Sequence, residues 1–172
     1  MADTFGAFLA FDFSVNSHTI YLFTISKNEE SMWKRTTSKV YQDVKKEAVW
    51  SILTDVNKWA TWHGDLDSCT MEGPFKAGNH FMLKPKGMSA VKIVLTDVQP
   101  DAQFTDCTTF FGAKMPHTFL LEETSEGLRI TSTLVVTGWL SWLWIKLVAQ
   151  HVADSVKEEM DAAVVLAREK HV

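Results

Sequence analysis

The chain has 172 residues, 46% of them hydrophobic and 22% charged, the mixture of one soluble globular domain. Its 17 Lys and Arg against 21 Asp and Glu leave a net charge of −4, so no basic excess is available to hold a phosphate backbone and nucleic-acid binding is disfavoured. Eleven Phe and seven Trp are a large aromatic complement, suited either to a packed core or to the wall of a ligand cavity.

Residues 5–13 and 19–25 read as two apolar strands around a polar turn at 14–18, the pattern of a hairpin. A polar break at 27–31 follows, and then Met32. Residues 1–31 therefore form an N-terminal extension with two readings: an added hairpin, or upstream coding sequence ahead of a start at Met32. The second is preferred, because an unpaired hairpin this apolar is an aggregation hazard. The first basic residue is Lys27, so the positive region of a secretory signal is missing. Asp12, Ser14, Asn16, Ser17 and His18 interrupt the apolar run too often for a spanning helix. A cytoplasmic protein without stable membrane insertion is expected, with residues 32–172 as its single domain.

From residue 34 the organisation becomes regular. Residues 36–44 read as a strand and 47–54 as a short helix, with Val49, Trp50 and Leu53 at helical spacing. Asp55 or Asn57 is placed to cap a second short helix carrying Trp59 and Trp62. Six strand-like runs then alternate with turn chemistry, at 66–71, 79–84, 90–98, 103–111, 117–123 and 128–137, which describes an antiparallel meander. After Gly138 the period changes. Ile145, Ala149, Val152, Val156, Met160, Ala163 and Ala167 make one apolar stripe on a helix that reaches about Lys170. Such a helix, about thirty residues at about 1.5 Å each, is long enough to cross a whole sheet. The expected class is α+β: a curved antiparallel sheet of about seven strands wrapped around the long C-terminal helix, with two short helices after the first strand.

This order and its motifs resemble the START/polyketide-cyclase (SRPBCC) superfamily, the helix-grip fold shared with the birch pollen allergen, and within it the bacterial polyketide cyclase/dehydrase-like proteins. The resemblance is carried by Val49, Trp50, Leu53 and Asp55 followed by Trp59 and Trp62, by Gly73 to Gly78 before a strand, by the run from His117 to Glu122, by Gly127 to Thr131 and by the closing Gly138. It covers residues 35–170 and implies a hydrophobic cavity between the concave sheet face and the last helix, used in the superfamily for lipids, sterols, polyketides and similar molecules and in some members for cyclisation and dehydration. No cofactor is implied.

Alternation of side chains gives the candidate lining. Val91, Ile93 and Leu95 share a face. Setting Asp106 outward turns Thr105, Cys107, Thr109 and Phe111 inward. Setting Glu122 outward turns His117, Phe119 and Leu121 inward, and setting Arg129 outward does the same for Ile130, Ser132 and Leu134. Val148, Val152 and Val156 of the helix lie opposite, and Trp62 stands near the mouth. For any one of these the ordinary reading is core packing. His117 is the polar candidate, an acid/base group with Thr109 or Ser132 orienting a substrate; its ordinary reading is a hydrogen-bonded interior histidine. His63 reads as a solvated loop residue and His80 as outward. Many bacterial relatives carry a polar pair, often His with Glu, in the last strand, where this chain has Ser132 and Leu134. The inward face is therefore expected to lack an acidic partner for His117.

Cys69 and Cys107 read as small core residues rather than a bridge, and no spacing of His, Cys or carboxylates points to a metal. Trp139, Trp142 and Trp144 open the last helix, and three uses fit them: a hydrophobic gate, a contact between two copies in a homodimer, or a lip that touches a membrane during ligand exchange. The leading function is binding of a small hydrophobic molecule. A cyclase/dehydrase-type enzyme using His117 is the alternative, and a protein-interaction module with a filled core is the third reading.

Overall fold

A computed structural model describes residues 32–170, so the two strands expected at 5–13 and 19–25 lie outside the described residues. Seven strands form one antiparallel sheet in the order β1-β7-β6-β5-β4-β3-β2. They are β1 (Trp33–Tyr41), β2 (Leu66–Met71), β3 (His80–Pro85), β4 (Val91–Gln99), β5 (Gln103–Phe110), β6 (Ala113–Thr124) and β7 (Gly127–Val136). Helix α1 (Lys46–Leu53) and the short α2 (Trp59–Trp62) connect β1 to β2. After β7, α3 (Ser141–Trp144) runs through a π-helical turn at Ile145–Ala149 into α4 (Gln150–Glu169). The expected helix-grip architecture is present.

The strand ends depart from the sequence reading for identifiable reasons. β1 begins and ends about three residues early: Trp33 pairs with Val136 and Tyr41 with Leu128, after which Asp43 takes a left-handed conformation (φ 58°) and ends the ladder. β6 begins at Ala113, ahead of Pro116, although a proline has no N–H to offer a central strand. The β6–β7 ladder tolerates it because pairing lapses there: Lys114 bridges Thr137, regular pairing resumes at His117–Leu134, and Pro116 falls in the gap. The expected cap on α2 is absent as well. Asn57 instead clamps the backbone of Met71, donating to its carbonyl at 3.2 Å and accepting from its N–H at 2.8 Å, which ties the α1–α2 connection to β2.

Two apolar clusters hold α4 against the sheet. The larger joins α1 (Val49, Ile52, Leu53) to Phe104 and Phe119 of the sheet and to Val156, Met160, Ala163 and Ala167 of α4. Ala163 and Ala167 are fully buried, and their small side chains let α1 approach the helix closely. The smaller cluster gathers Met115, Leu134, Val136 and Ala149 with Trp144, Val148 and Val152 at the other end. A polar clamp adds to the first: Tyr41 and Lys39 both donate to Asp161, and the Arg168 guanidinium donates to the Gln42 carbonyl. Burial first, then the hydrogen bond to Asp161, raises the Tyr41 phenol well above its ordinary value, so it remains a donor.

Gly138, where the sheet hands the chain to α3, sits at φ 110°, and a Cβ there would lie 2.4 Å from the Gly112 carbonyl oxygen and 2.8 Å from the Ala113 Cα. Both obstacles are backbone, so neither can swing aside. Gly138→Ala is expected to destabilise the fold by about 2–4 kcal/mol through strain and steric conflict, read as a lower urea midpoint with unchanged slope.

Candidate functional site

Between the two clusters the helix stands off the sheet and leaves a cavity of about 290 Å³. Its inner end is aromatic: Trp59 packs edge-on to Phe81 at 5.3 Å, and Phe104 stacks on Phe119 at 5.3 Å, with Met160 of α4 facing them. Phe110, Met115, Val148 and Val152 wall the outer part. Of the lining residues, Asp65, Lys86, Met88, Leu147 and His151 are exposed, which places the mouth between the α2–β2 connection, the β3–β4 turn and the start of the last helix.

Strand alternation put most of the candidate residues on the side where they are found. Trp62, Val91, Ile93, His117, Phe119, Val148 and Val152 all line the cavity. Leu95, Leu121, Ile130, Leu134 and Val156 face inward too, but they are buried in the clusters behind the lining, and Ser132 is buried behind His117. β5 is inverted relative to the sequence reading. Thr109 is exposed and Phe111, in the β5–β6 turn, is 77% exposed, while Asp106, Thr108 and Phe110 point into the cavity.

The cause is Phe104. Its ring is fully buried, stacked on Phe119 and edge-on to Trp50 at 6.0 Å and Phe75 at 5.1 Å. Burying such a side chain contributes about 1.5–3 kcal/mol, and with a period of two an inward Phe104 forces Asp106 inward. The sequence reading fixed the strand by keeping the charge in water, and the aromatic ring proved the stronger constraint.

A polar belt therefore crosses the cavity just above its aromatic floor. On the sheet, Asp106 of β5 stands directly opposite His117 of β6. His117 shares a hydrogen bond with the Ser132 hydroxyl, Nε2 to Oγ, at 2.7 Å. From α4, Glu159 accepts from Ser155 Oγ at 2.7 Å and from His63 Nε2 at 3.1 Å. His63 is thus no solvated loop residue but one half of an ion pair at the cavity wall, whereas His80 is exposed as expected. The absence of an inward acid, expected from Ser132 and Leu134, is corrected by two carboxylates: Asp106 from the inverted strand and Glu159 from the helix. Glu159 was readable in principle, since it lies three residues after Val156 and seven after Val152 on the inward stripe.

Burial and neighbours set the charges. Burial, against a small opposing effect of Glu159, drives His117 down to about 4, so it is a neutral imidazole at neutral pH. Burial, reinforced by the nearby charge of Glu159, pushes Asp106 up to about 7. Burial opposes charge on His63, but the hydrogen bond and charge of Glu159 and the charge of Asp65 outweigh it and hold the imidazole above its ordinary value. Burial also opposes charge on Glu159, yet its bonds from His63 and Ser155 keep it below the usual carboxylate range. Cys69 and Cys107 are free thiols. Among the described residues no three of His, Cys, Asp and Glu gather as a metal site, and no helix is long and apolar enough to cross a membrane.

The tryptophans divide. Trp144 stacks on Phe110 at 4.3 Å and donates its indole N–H to the Phe111 carbonyl at 2.9 Å, which latches α3 to the β5–β6 turn. Trp139 and Trp142 are 71% and 59% exposed.

The sequence profile of the family described as "Polyketide cyclase / dehydrase and lipid transport" matches residues 32–166. No curated protein matches the sequence. Among solved structures, the chain is similar to the di-domain ARO/CYC BexL of the BE-7585A biosynthetic pathway (14% identity, TM-score 0.61, 83% of this chain and 50% of that one), so it spans half the length of that protein. It is also similar to a hypothetical protein from Helicobacter pylori (15%, TM-score 0.62, 90% and 98%) and to a Thalictrum flavum norcoclaurine synthase (11%, TM-score 0.61, 82% and 96%). At these identities the likeness is one of fold.

Asp106 and His117 give stability opposite pH slopes. The folded state keeps a proton on Asp106 that an unfolded chain loses above its ordinary 3.8, so this contribution falls as pH rises from about 4 to 7. An unfolded histidine takes a proton below 6.5 that the buried His117 refuses down to about 4, so its contribution falls as pH falls through that window. Asp106→Asn is expected to leave stability rising with pH between those limits and His117→Gln to leave it falling, each by on the order of 1–3 kcal/mol in urea titrations at stepped pH. Slopes parallel to the parent chain would contradict the assignment.

Proposed function

Because the chain belongs to the polyketide cyclase/dehydrase and lipid transport family, we propose that it binds a small, largely apolar molecule in the cavity between the sheet and α4. The observation that carries this reading is the cavity itself: a space of about 290 Å³ that is open at one end, walled by Phe110, Met115, Val148 and Val152 and floored by aromatic rings. That size is near the lower end of small-molecule sites. Desolvation of an apolar ligand provides the affinity, and the polar belt of Asp106, His117 and Glu159 fixes which part of the molecule goes in first.

A second reading, an enzyme of the cyclase/dehydrase type, is favoured by one observation. Asp106 faces the cavity with a proton affinity near neutrality, the condition for a group that both takes and gives a proton. His117 suits the general-acid role poorly because it holds no proton at neutral pH; as a neutral imidazole bonded to Ser132 it would orient a polar group instead. In this reading Asp106 replaces His117 as the proton-transferring residue.

Titration with a fluorescent apolar probe such as 1-anilinonaphthalene-8-sulfonate, with native mass spectrometry of protein isolated from its own host, tests the binding reading. Saturable binding at one equivalent is expected, weakened about tenfold or more by Val152→Trp, which fills the outer cavity, with thermal melting reporting that the variant is folded. An empty protein that binds no probe would instead favour the interaction-module reading.

A further inference from the structure

Among the described residues, every charged group in the inner cavity has a partner except one. Glu159 is matched by His63 at 3.1 Å and further bonded by Ser155. Lys39 and Asp161 neutralise each other outside the cavity, on the β1 side. Asp106 is only 7% exposed, yet among the described residues it has no hydrogen-bond or ion-pair partner. Its carboxylate is not sealed in: among the described residues no buried side-chain oxygen lacking a partner is completely shut off from solvent space, and Asp106 lines the cavity, so its oxygens open onto that space. A carboxyl this buried needs something to complete it, because a lone charge in an apolar setting is costly.

The surroundings say what kind of group fits. From α4, Glu159 presents a like charge, and from β2 the Cys69 thiol feels the negative field of Asp106. From β6, His117 is neutral and already engaged with Ser132, and His63 is committed to Glu159. With Asp106 ionised, two carboxylates face at most one cationic partner, His63, which Glu159 already holds, so the belt is net negative. The complement of that arrangement is a positive charge placed beside Asp106.

The polar belt is deep, and the walls between it and the charged rim of Asp65, Lys86 and His151 are apolar. Along the π turn and α4, Leu147, Val148 and Val152 come first from the mouth, and Ser155 and Glu159 follow; along the β5–β6 pair, Phe110 and Met115 are outer and Asp106 and His117 inner. A ligand must therefore enter head first and leave its apolar body in the outer cavity.

We infer that the ligand is an amphipathic amine, bound with its protonated nitrogen against Asp106 and its hydrocarbon portion between Val148, Val152, Phe110 and Met115. The inference rests on the cavity-binding reading and narrows it to one ligand class. Asp106 acts as counter-ion, and loading the amine displaces the proton that the empty site holds below neutrality.

Isothermal titration with octylamine, octanol and octanoate at stepped pH separates the two claims. Octylamine is expected to bind more tightly than octanol at pH 8. Its affinity should rise about tenfold between pH 6 and 8, with proton release on binding at the lower pH, because the amine stays charged throughout while Asp106 ionises. Asp106→Asn should abolish the amine preference and its pH dependence, with thermal melting reporting that the variant is folded. Saturable octanol binding with no amine preference, or with a preference for octanoate, overturns the counter-ion role and leaves the cavity reading standing. Failure of all three to bind overturns both. The pH profile of the parent chain decides the matter even if the variant does not fold.

Discussion

The structure depends on a long helix that is anchored at its two ends and lifted in between. Val156, Met160, Ala163 and Ala167 pack into the α1–sheet cluster, and Ala149 with Val148 and Val152 packs into the cluster around Met115 and Val136. The sheet is bent by bulges, one of them between Leu95 and Asp97, so its concave face cannot follow a straight helix along its whole length. The space left over is the cavity. Close packing is satisfied at the ends and suspended in the middle, and the stability of the ends is what makes an unfilled middle tolerable.

The same constraint explains where the polar groups sit. Ser155 and Glu159 flank Val156 and Met160 on α4 and line the cavity, so they face inward without displacing the apolar contacts of those two residues. On the sheet side, Asp106 is brought in by its neighbour Phe104, not by any partner of its own. The site is thus a consequence of core formation next door: the aromatic floor is bought with the burial of a carboxyl. The result is a belt in which one ion pair is complete, one imidazole is neutral and one carboxyl awaits a partner.

At the rim, the π-helical turn at Ile145–Ala149 and the latch from Trp144 to Phe111 fix the start of the helix beside the β5–β6 turn. A π turn places an extra residue in one turn of helix, which sets Leu147 outward at the mouth while Val148 still faces the cavity. Trp139 over Gly112 packs the outside of that corner, which is why the glycine's missing side chain matters there: a Cβ would meet the indole at 2.8 Å.

Much of the fold was legible in the sequence, because it is written in local periodicities. The change from alternation to a helical stripe after Gly138, the turn residues between strands and the paired tryptophans of α2 gave the element order, and the inward faces of β4, β6, β7 and α4 followed from it. What local pattern could not give was the outcome of a competition between residues on one strand. On β5, Phe104 and Asp106 share a face, and only the rings of Trp50, Phe75 and Phe119, drawn from three distant parts of the chain, decide that this face is the inside. His63 and Glu159 are 96 positions apart in numbering and meet only once α4 crosses the sheet. The sequence by itself determined the grip and its hydrophobic lining, since these depend on periodicity and turn chemistry. The charge of the site, and hence the chemistry it can accept, was decided by the tertiary structure, since burial and pairing are properties of neighbours that sequence spacing does not contain.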